Sequence, residues 1–167
     1  MPRKTFVAGD VFSAADANLL AQDGYVTNAS LDTTAGELGG AWTTWTPVVT
    51  QSNAVTVTVT SATYARFGRL IIARAKLVAT AAGTAANHIT ISVPVTAAVG
   101  SFTACGIFWW YDASTSTHYT GSAHLDGTTY ILGIASGATG GMGFNTPNLA
   151  LANNDELSFT IVYEAAS

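Results

Sequence analysis

Valine and threonine alternate without interruption from Val55 to Thr60. Because successive side chains of a strand point to opposite faces, this period of two places the valines on one face and the threonines on the other. Both residue types are β-branched, and their restricted χ1 angles favour a pleated strand over a helix. The pattern therefore predicts a strand with one buried face and one solvated face, which is typical of an antiparallel sheet.

The same alternation recurs towards the C-terminus. In residues 89–93, for example, isoleucine and valine alternate with threonine and serine. Turn-forming residues separate the alternating runs, and Asp126-Gly127 is the clearest signal for a tight hairpin. Nine strands are predicted, over residues 43–50, 54–60, 62–67, 69–79, 87–94, 101–111, 117–125, 128–135 and 156–163. Many short strands at this spacing predict an all-β fold, namely an antiparallel β-sandwich of the jelly-roll type.

Residues 1–41 lack this alternation. Ser13 and Asp16 form a weak capping box, in which the Ser13 hydroxyl accepts from a backbone N–H three residues on and the Asp16 carboxylate reaches back. The box predicts a short helix from Ala14 to about Gln22, which would be marginal on its own in water. The residues that follow are a polar, glycine-containing connector.

We therefore divide the chain into an N-terminal arm with one short helix, residues 1–41, and a β-sandwich domain, residues 42–167. A helix this short gains its order by docking on another surface. Apolar residues of the arm are the candidates for that docking contact. They are Phe6, Val11, Phe12, Leu19 and Leu20.

The chain carries few charges. Charged residues make up 10% of the sequence, where about 25% is typical, so we expect part of the surface to be covered by protein partners. The net charge of −4 argues against nucleic-acid binding, which requires a basic surface. No apolar run is long enough to cross a bilayer, and no apolar segment follows the basic residues at the start. We expect synthesis in a cytoplasm, without a signal peptide and without membrane insertion.

Residues suited to catalysis or metal binding are sparse. Asp112 and Asp126 could flank a cleft, as a glycosidase requires, but turns at strand ends explain both aspartates better. His118 and His124 share one face of a predicted strand, yet about 20 Å separates them, which is too far for one metal ion. Cys105 stands alone among small apolar residues, which is typical of a buried side chain. We expect no enzymatic activity, no cofactor and no metal site.

Four aromatic residues follow one another at Phe108, Trp109, Trp110 and Tyr111. Alternation directs Phe108 and Trp110 to one face of a strand and the other two rings to the opposite face. One core cannot bury both sets. Trp109, Trp110 and Tyr111 are therefore candidates for a protein interface or for a contact with a glycan, because large rings anchor such contacts.

The segment Phe6–Asn18 reads FVAGDVFSAADAN. It resembles the opening F-x-A-G-[DE]-V-[LF]-[ST]-A-A-[DE]-x-N of many virion proteins of tailed bacteriophages, which include minor tail, tail-fibre and head-fibre proteins. Three further stretches, residues 45–47, 64–69 and 85–94, resemble the β-sandwich domains behind that opening. The resemblance implies an arm docked on the virion, a distal β domain and, commonly, a homotrimer.

These observations predict a virion structural protein, either a small fibre or a decoration subunit, with the virion as its location. Its expected partners are further copies of itself, other capsid or tail proteins, and a glycan of the host surface. The alternative is a carbohydrate-binding module that itself acts as the receptor-recognition adhesin. No motif of the tailspike depolymerases is matched.

Overall fold

The computed structural model of the protein describes residues 42–100 and 102–166. The arm predicted over residues 1–41 lies outside the described residues, together with its helix and its candidate docking residues. Those docking residues are Phe6, Val11, Phe12, Leu19 and Leu20.

Ten strands form the secondary structure of the described residues, and no helix occurs among them. The strands are β1 (Thr43–Thr44), β2 (Val49–Gln51), β3 (Asn53–Val55), β4 (Val57–Phe67), β5 (Leu70–Ala79), β6 (Thr90–Ser92), β7 (Ala104–Asp112), β8 (Thr117–Asp126), β9 (Tyr130–Ala135) and β10 (Glu156–Glu164). Every pairing is antiparallel. The order across the sheet is β1-β4-β5-β10-β7-β8-β9-β6-β2-β3. The prediction of an all-β, antiparallel domain is confirmed.

The sheet curls because β3 and β4 are adjacent in sequence but distant in the pairing order. Only Thr56 joins them, although β3 lies at one end of the order and β4 lies near the other. One connecting residue spans roughly 7 Å between its neighbours, so the two ends of the sheet must approach each other. The Thr56 carbonyl oxygen accepts hydrogen bonds from the backbone N–H and the hydroxyl of Thr80, at 2.9 and 3.1 Å, which holds the bend.

The inner face of this curled sheet carries the core. Side chains on alternate positions of β5 and β10 are buried, as their sequence pattern predicts. These residues are Ile71, Ala73, Ala75, Leu77, Leu157, Phe159, Ile161 and Tyr163. Phe159 also stacks on Phe108 of β7, with 6.3 Å between the ring centroids. One continuous core therefore joins strands from the middle of the pairing order.

The Val-Thr alternation differs from its prediction. Val55 is buried, but Val57 is only partly buried and Val59 is 36% exposed. The strand is interrupted at Thr56, so these valines do not belong to one uninterrupted strand. Val59 is exposed because β1 pairs with the far part of β4, and no other described strand lies beside this stretch on that side.

A bulge also changes which positions of β4 face inwards. The register shifts between Val59 and Ser61, so Thr60 is an additional residue relative to β5. Before the bulge, odd-numbered residues share the face of Leu77, whereas after it even-numbered residues such as Ala62 face the core. The two predicted strands 54–60 and 62–67 are therefore largely one strand.

Other strand boundaries moved by a few residues. The predicted strand 43–50 divides into β1 and β2 around Pro47, which has no backbone N–H to donate to a neighbouring strand. The hairpin predicted at Asp126-Gly127 is confirmed, since Asp126 pairs with Tyr130 and Gly127 has a φ of +63°.

Two polar residues at strand ends are fully buried, namely Gln51 at the end of β2 and Asp155 directly before β10. The Gln51 amide donates to the carbonyl oxygens of Leu149 (2.8 Å) and Asn87 (3.2 Å) and accepts from the backbone N–H of Leu151 (2.8 Å). A buried amide without hydrogen-bond partners would be unfavourable, so these contacts stabilise the position of the loops around Asn87 and Leu149 relative to β2.

Candidate functional site

Strand β7 directs its aromatic residues to both faces of the sheet, as its sequence predicts. Phe108 and Trp110 are fully buried on the inner face. The Trp110 indole N–H donates to the Asp155 carboxylate at 3.2 Å. Trp110 is therefore a core residue, and of the three candidate contact residues only Trp109 and Tyr111 lie on the outer face.

Trp109, Tyr111 and His118 pack together on this outer face, and we call them the outer aromatic cluster. The ring centroids of Trp109 and Tyr111 lie 6.2 Å apart, with an interplanar angle of 10°. The His118 ring lies 5.3 Å from the Trp109 ring and 4.8 Å from the Tyr111 ring. The cluster forms because His118 of β8 is the direct cross-strand partner of Tyr111, and paired residues bring their side chains together.

A hollow of about 280 Å³ lies beside Trp109 on strands β7, β8 and β10. The outward-facing residues that line it are Ile107, Trp109, Thr120, Ser158 and Thr160. Ile107 is 69% exposed, although β7 has a paired strand on each side. An aliphatic side chain and an indole thus form an apolar ridge along β7, and small hydroxyl residues flank it on both neighbouring strands.

The hollow carries no charged side chain among its lining residues. Lys76 is the cross-strand partner of Ser158, but its ammonium group pairs with the Glu156 carboxylate at 2.8 Å. Arg74 is the cross-strand partner of Thr160, and its guanidinium lies 4.7 Å from the centroid of the Trp42 ring. The lining residues of the hollow present apolar surface and hydroxyl groups.

The structure does not bring the other candidate residues together. The imidazole of His124 contacts the Ser122 hydroxyl at 2.7 Å and the Phe102 carbonyl oxygen at 2.9 Å, while His118 belongs to the outer aromatic cluster. Within residues 42–100 and 102–166, no group of three or more histidine, cysteine, aspartate or glutamate residues is placed to hold a metal ion.

Asp112 has a local structural role. It lies at the β7 end of the turn to β8, and Asp126 lies at the far end of β8, about 30 Å along the strand. Burial raises the pKa of the Asp112 carboxyl, but hydrogen bonds from Ser114 and Thr115 outweigh burial and hold the pKa below its ordinary value. The two side-chain hydroxyls donate at 2.6 and 3.0 Å. Asp112 therefore stabilises the turn as a carboxylate.

Cys105 is a buried residue of β7, as its sequence context predicts. Burial raises the pKa of its thiol to about 11, so the thiol stays protonated at neutral pH. Since the thiolate is the nucleophile, this environment suits a structural cysteine and not a catalytic one.

Sequence reasoning missed Ile107 and the hydroxyl residues around the hollow. Ile107 lies two residues before Trp109 in β7, and this spacing was the available signal that it faces outwards. No sequence signal places Ser158 and Thr160 beside Trp109, because β10 follows β7 by more than forty residues and reaches it only through sheet pairing.

No protein-family model, curated protein or solved structure matches this chain.

No helix in the part of the chain that the structure describes is long and apolar enough to cross a membrane.

Proposed function

We propose that this chain is a structural subunit of a tailed-bacteriophage virion, a small fibre or decoration protein displayed on the particle. The observation that carries the proposal is the motif over Phe6–Asn18, FVAGDVFSAADAN, which resembles the opening of such virion proteins. The β domain supports it, because its strands share one core cluster and present exposed apolar side chains, such as Ile107, for contacts. In this proposal, the arm attaches the protein to the particle and residues 42–167 form the displayed domain.

We further infer that the curled sheet is a jelly-roll-like sandwich. Val49, Ile91 and Ile131, from strands near one end of the pairing order, belong to the same core cluster as Leu77 and Leu157 from its other half. Two inner faces that share one core are the arrangement of a sandwich.

We also propose a homotrimer. Val99 and Phe102 are 63% and 58% exposed, and a chain with few charges commonly hides such surface by closed cyclic symmetry. Light scattering of the purified full chain at micromolar concentration should give three times the mass of one chain. A monomer mass would refute the trimer.

The arm should be required for incorporation into particles. We expect the full chain to be found in purified particles by mass spectrometry, and the double substitution Val11→Asp and Phe12→Asp to abolish its incorporation. Two charges in a docking surface cannot be buried without partners, so the contact should be lost. Deleting residues 1–41 should have the same effect and leave a β-rich domain by circular dichroism.

Tyr130→Ala, an exposed substitution at the start of β9, is the control and should leave the copy number unchanged. Recovery of the double variant or the truncated chain on particles at the wild-type copy number would refute attachment by the arm. Absence of the full chain from particles of its phage would refute the virion assignment.

A further inference from the structure

We infer that the hollow beside Trp109 binds one neutral sugar unit of a glycan on the host surface. The inference rests on the proposed function, because a domain displayed on a virion presents its open face to the host. The proposed function names no ligand for the outer face of β7, β8 and β10, and this inference adds one.

The apolar part of the hollow suits the carbon-bound hydrogens of a sugar ring. Trp109 is held by its contacts with Tyr111 and His118, so its ring is ordered before a ligand arrives. Preorganised aromatic surface binds at a low cost in conformational entropy. Ile107 extends the same ridge with a side chain that is 69% exposed.

The polar part of the hollow suits the hydroxyl groups of a sugar. The hydroxyls of Thr120, Ser158 and Thr160 can each donate and accept, as sugar hydroxyls also do. Within the described part of the chain, none of these three side chains makes a hydrogen bond to another protein group. Other hydroxyls of the sheet are paired, for example Thr50 with Thr90 at 2.6 Å. The groups around the hollow therefore remain available to a ligand.

Charge and size narrow the ligand class. No lining side chain is charged, and the nearby Lys76 ammonium is paired with Glu156. The other nearby cation, the Arg74 guanidinium, lies over the Trp42 ring. No lining group would therefore compensate a carboxylate or phosphate. A volume of about 280 Å³ lies just below the range of sites for drug-sized ligands, which begins at about 300 Å³. The hollow therefore fits one sugar unit, with the rest of the glycan passing over its open side.

A second copy of the chain is the competing occupant of this face. Such an interface would cover the three free hydroxyls of Thr120, Ser158 and Thr160, and burying hydroxyls without partners is unfavourable. A sugar supplies partners for all three. This difference favours the glycan.

The test begins with the purified full chain on an array that carries neutral and uronate-containing oligosaccharides of bacterial surfaces. Isothermal titration with the strongest neutral ligand then compares the wild type with Trp109→Ala, Thr120→Val and Tyr130→Ala. Trp109→Ala should weaken binding at least tenfold, as expected for a central aromatic contact at about 1.4 kcal/mol or more. Thr120→Val keeps the side-chain shape and should weaken binding roughly three- to tenfold. Tyr130→Ala removes an exposed ring at the start of β9, six residues along β8 from the position of Thr120, and should bind as the wild type does.

Far-ultraviolet circular dichroism checks that each variant is folded, and Thr120→Val keeps the test decisive if Trp109→Ala unfolds. Binding of uronate-containing ligands alone, or of no ligand, would overturn the inference. Glycan binding that neither substitution weakens would show that the glycan does not bind in this hollow. A lower oligomer mass for Trp109→Ala, with glycan binding unchanged, would show that Trp109 contacts another copy of the chain. That result would also overturn the inference. Particle composition tests the virion assignment separately, so either idea can fail while the other stands.

Discussion

Asp155→Asn is expected to lower the melting temperature of the protein by roughly 10 °C, through a loss of about 3 kcal/mol in the free energy of unfolding. The Asp155 side chain is fully buried. One carboxylate oxygen accepts from the backbone N–H of Ala113 at 3.0 Å. The other accepts from the Trp110 indole N–H at 3.2 Å and from the backbone N–H of Ala152 at 3.0 Å.

Two opposing effects decide this result. Asparagine is neutral, so the substitution removes the cost of burying a carboxylate. However, all three groups that contact the Asp155 carboxylate are hydrogen-bond donors. The NH₂ group of asparagine is also a donor, so it finds no acceptor among them. At least one buried N–H then faces another donor, and an unsatisfied buried group costs about 1–3 kcal/mol. The second effect prevails because none of the three groups that contact the carboxylate can accept a hydrogen bond from the amide.

Thermal unfolding followed by circular dichroism measures the change, with Asp126→Asn as the matched control. Asp126 is partly exposed at the end of β8, so the same chemical change there should alter the melting temperature by only a few degrees. Equal melting temperatures for the two variants would show that Asp155 does not hold Trp110 and the adjacent turns.

Gly121→Ala is expected to have an effect of similar size for a steric reason. A Cβ at this position would overlap the carbonyl oxygen of Ile134 and lie 2.8 Å from the Cα of Ala135, both on the paired strand β9. Main-chain atoms of a paired strand cannot rotate away as the end of a flexible side chain can. The strands must separate locally, and we expect a loss of about 3 kcal/mol, the upper end for overpacking.

Gly68→Ala separates this steric effect from the general loss of a glycine. Gly68 has a φ of +61°, but no atom lies within 4 Å of the position of an added Cβ. Its substitution should cost about 1 kcal/mol, the penalty for an alanine in the left-handed region. Urea unfolding of both variants gives the two free energies. A larger loss of free energy for Gly68→Ala would contradict this prediction. The backbone conformation of a glycine, and not its distance from the paired strand, would then determine the cost of adding a Cβ.

The sequence by itself determined the strands and the residues that share a face. In β10 the positions of Leu157, Phe159 and Ile161 follow from a period of two alone, and the structure buries all three. The same period separates Trp109 from Trp110 in β7. Such patterns are readable because the direction of a side chain in a strand is fixed by the local backbone.

The tertiary structure alone decided which face of β7 became core and what each strand has as a neighbour. Trp109 and Trp110 are chemically identical, and only the pairing of β7 with β8 and β10 and the curl of the sheet place Trp110 beside Asp155. Val59 follows its strand pattern but is exposed because, among the described residues, a strand lies beside it only on the β5 side. Asp155 is a buried acceptor because its donors Trp110 and Ala113 lie far from it in sequence. The hollow exists because β10 lies beside β7, a contact between residues far apart in sequence. Burial depends on such distant partners, whereas alternation depends only on adjacent residues, so a local pattern determines the strands without determining their surroundings.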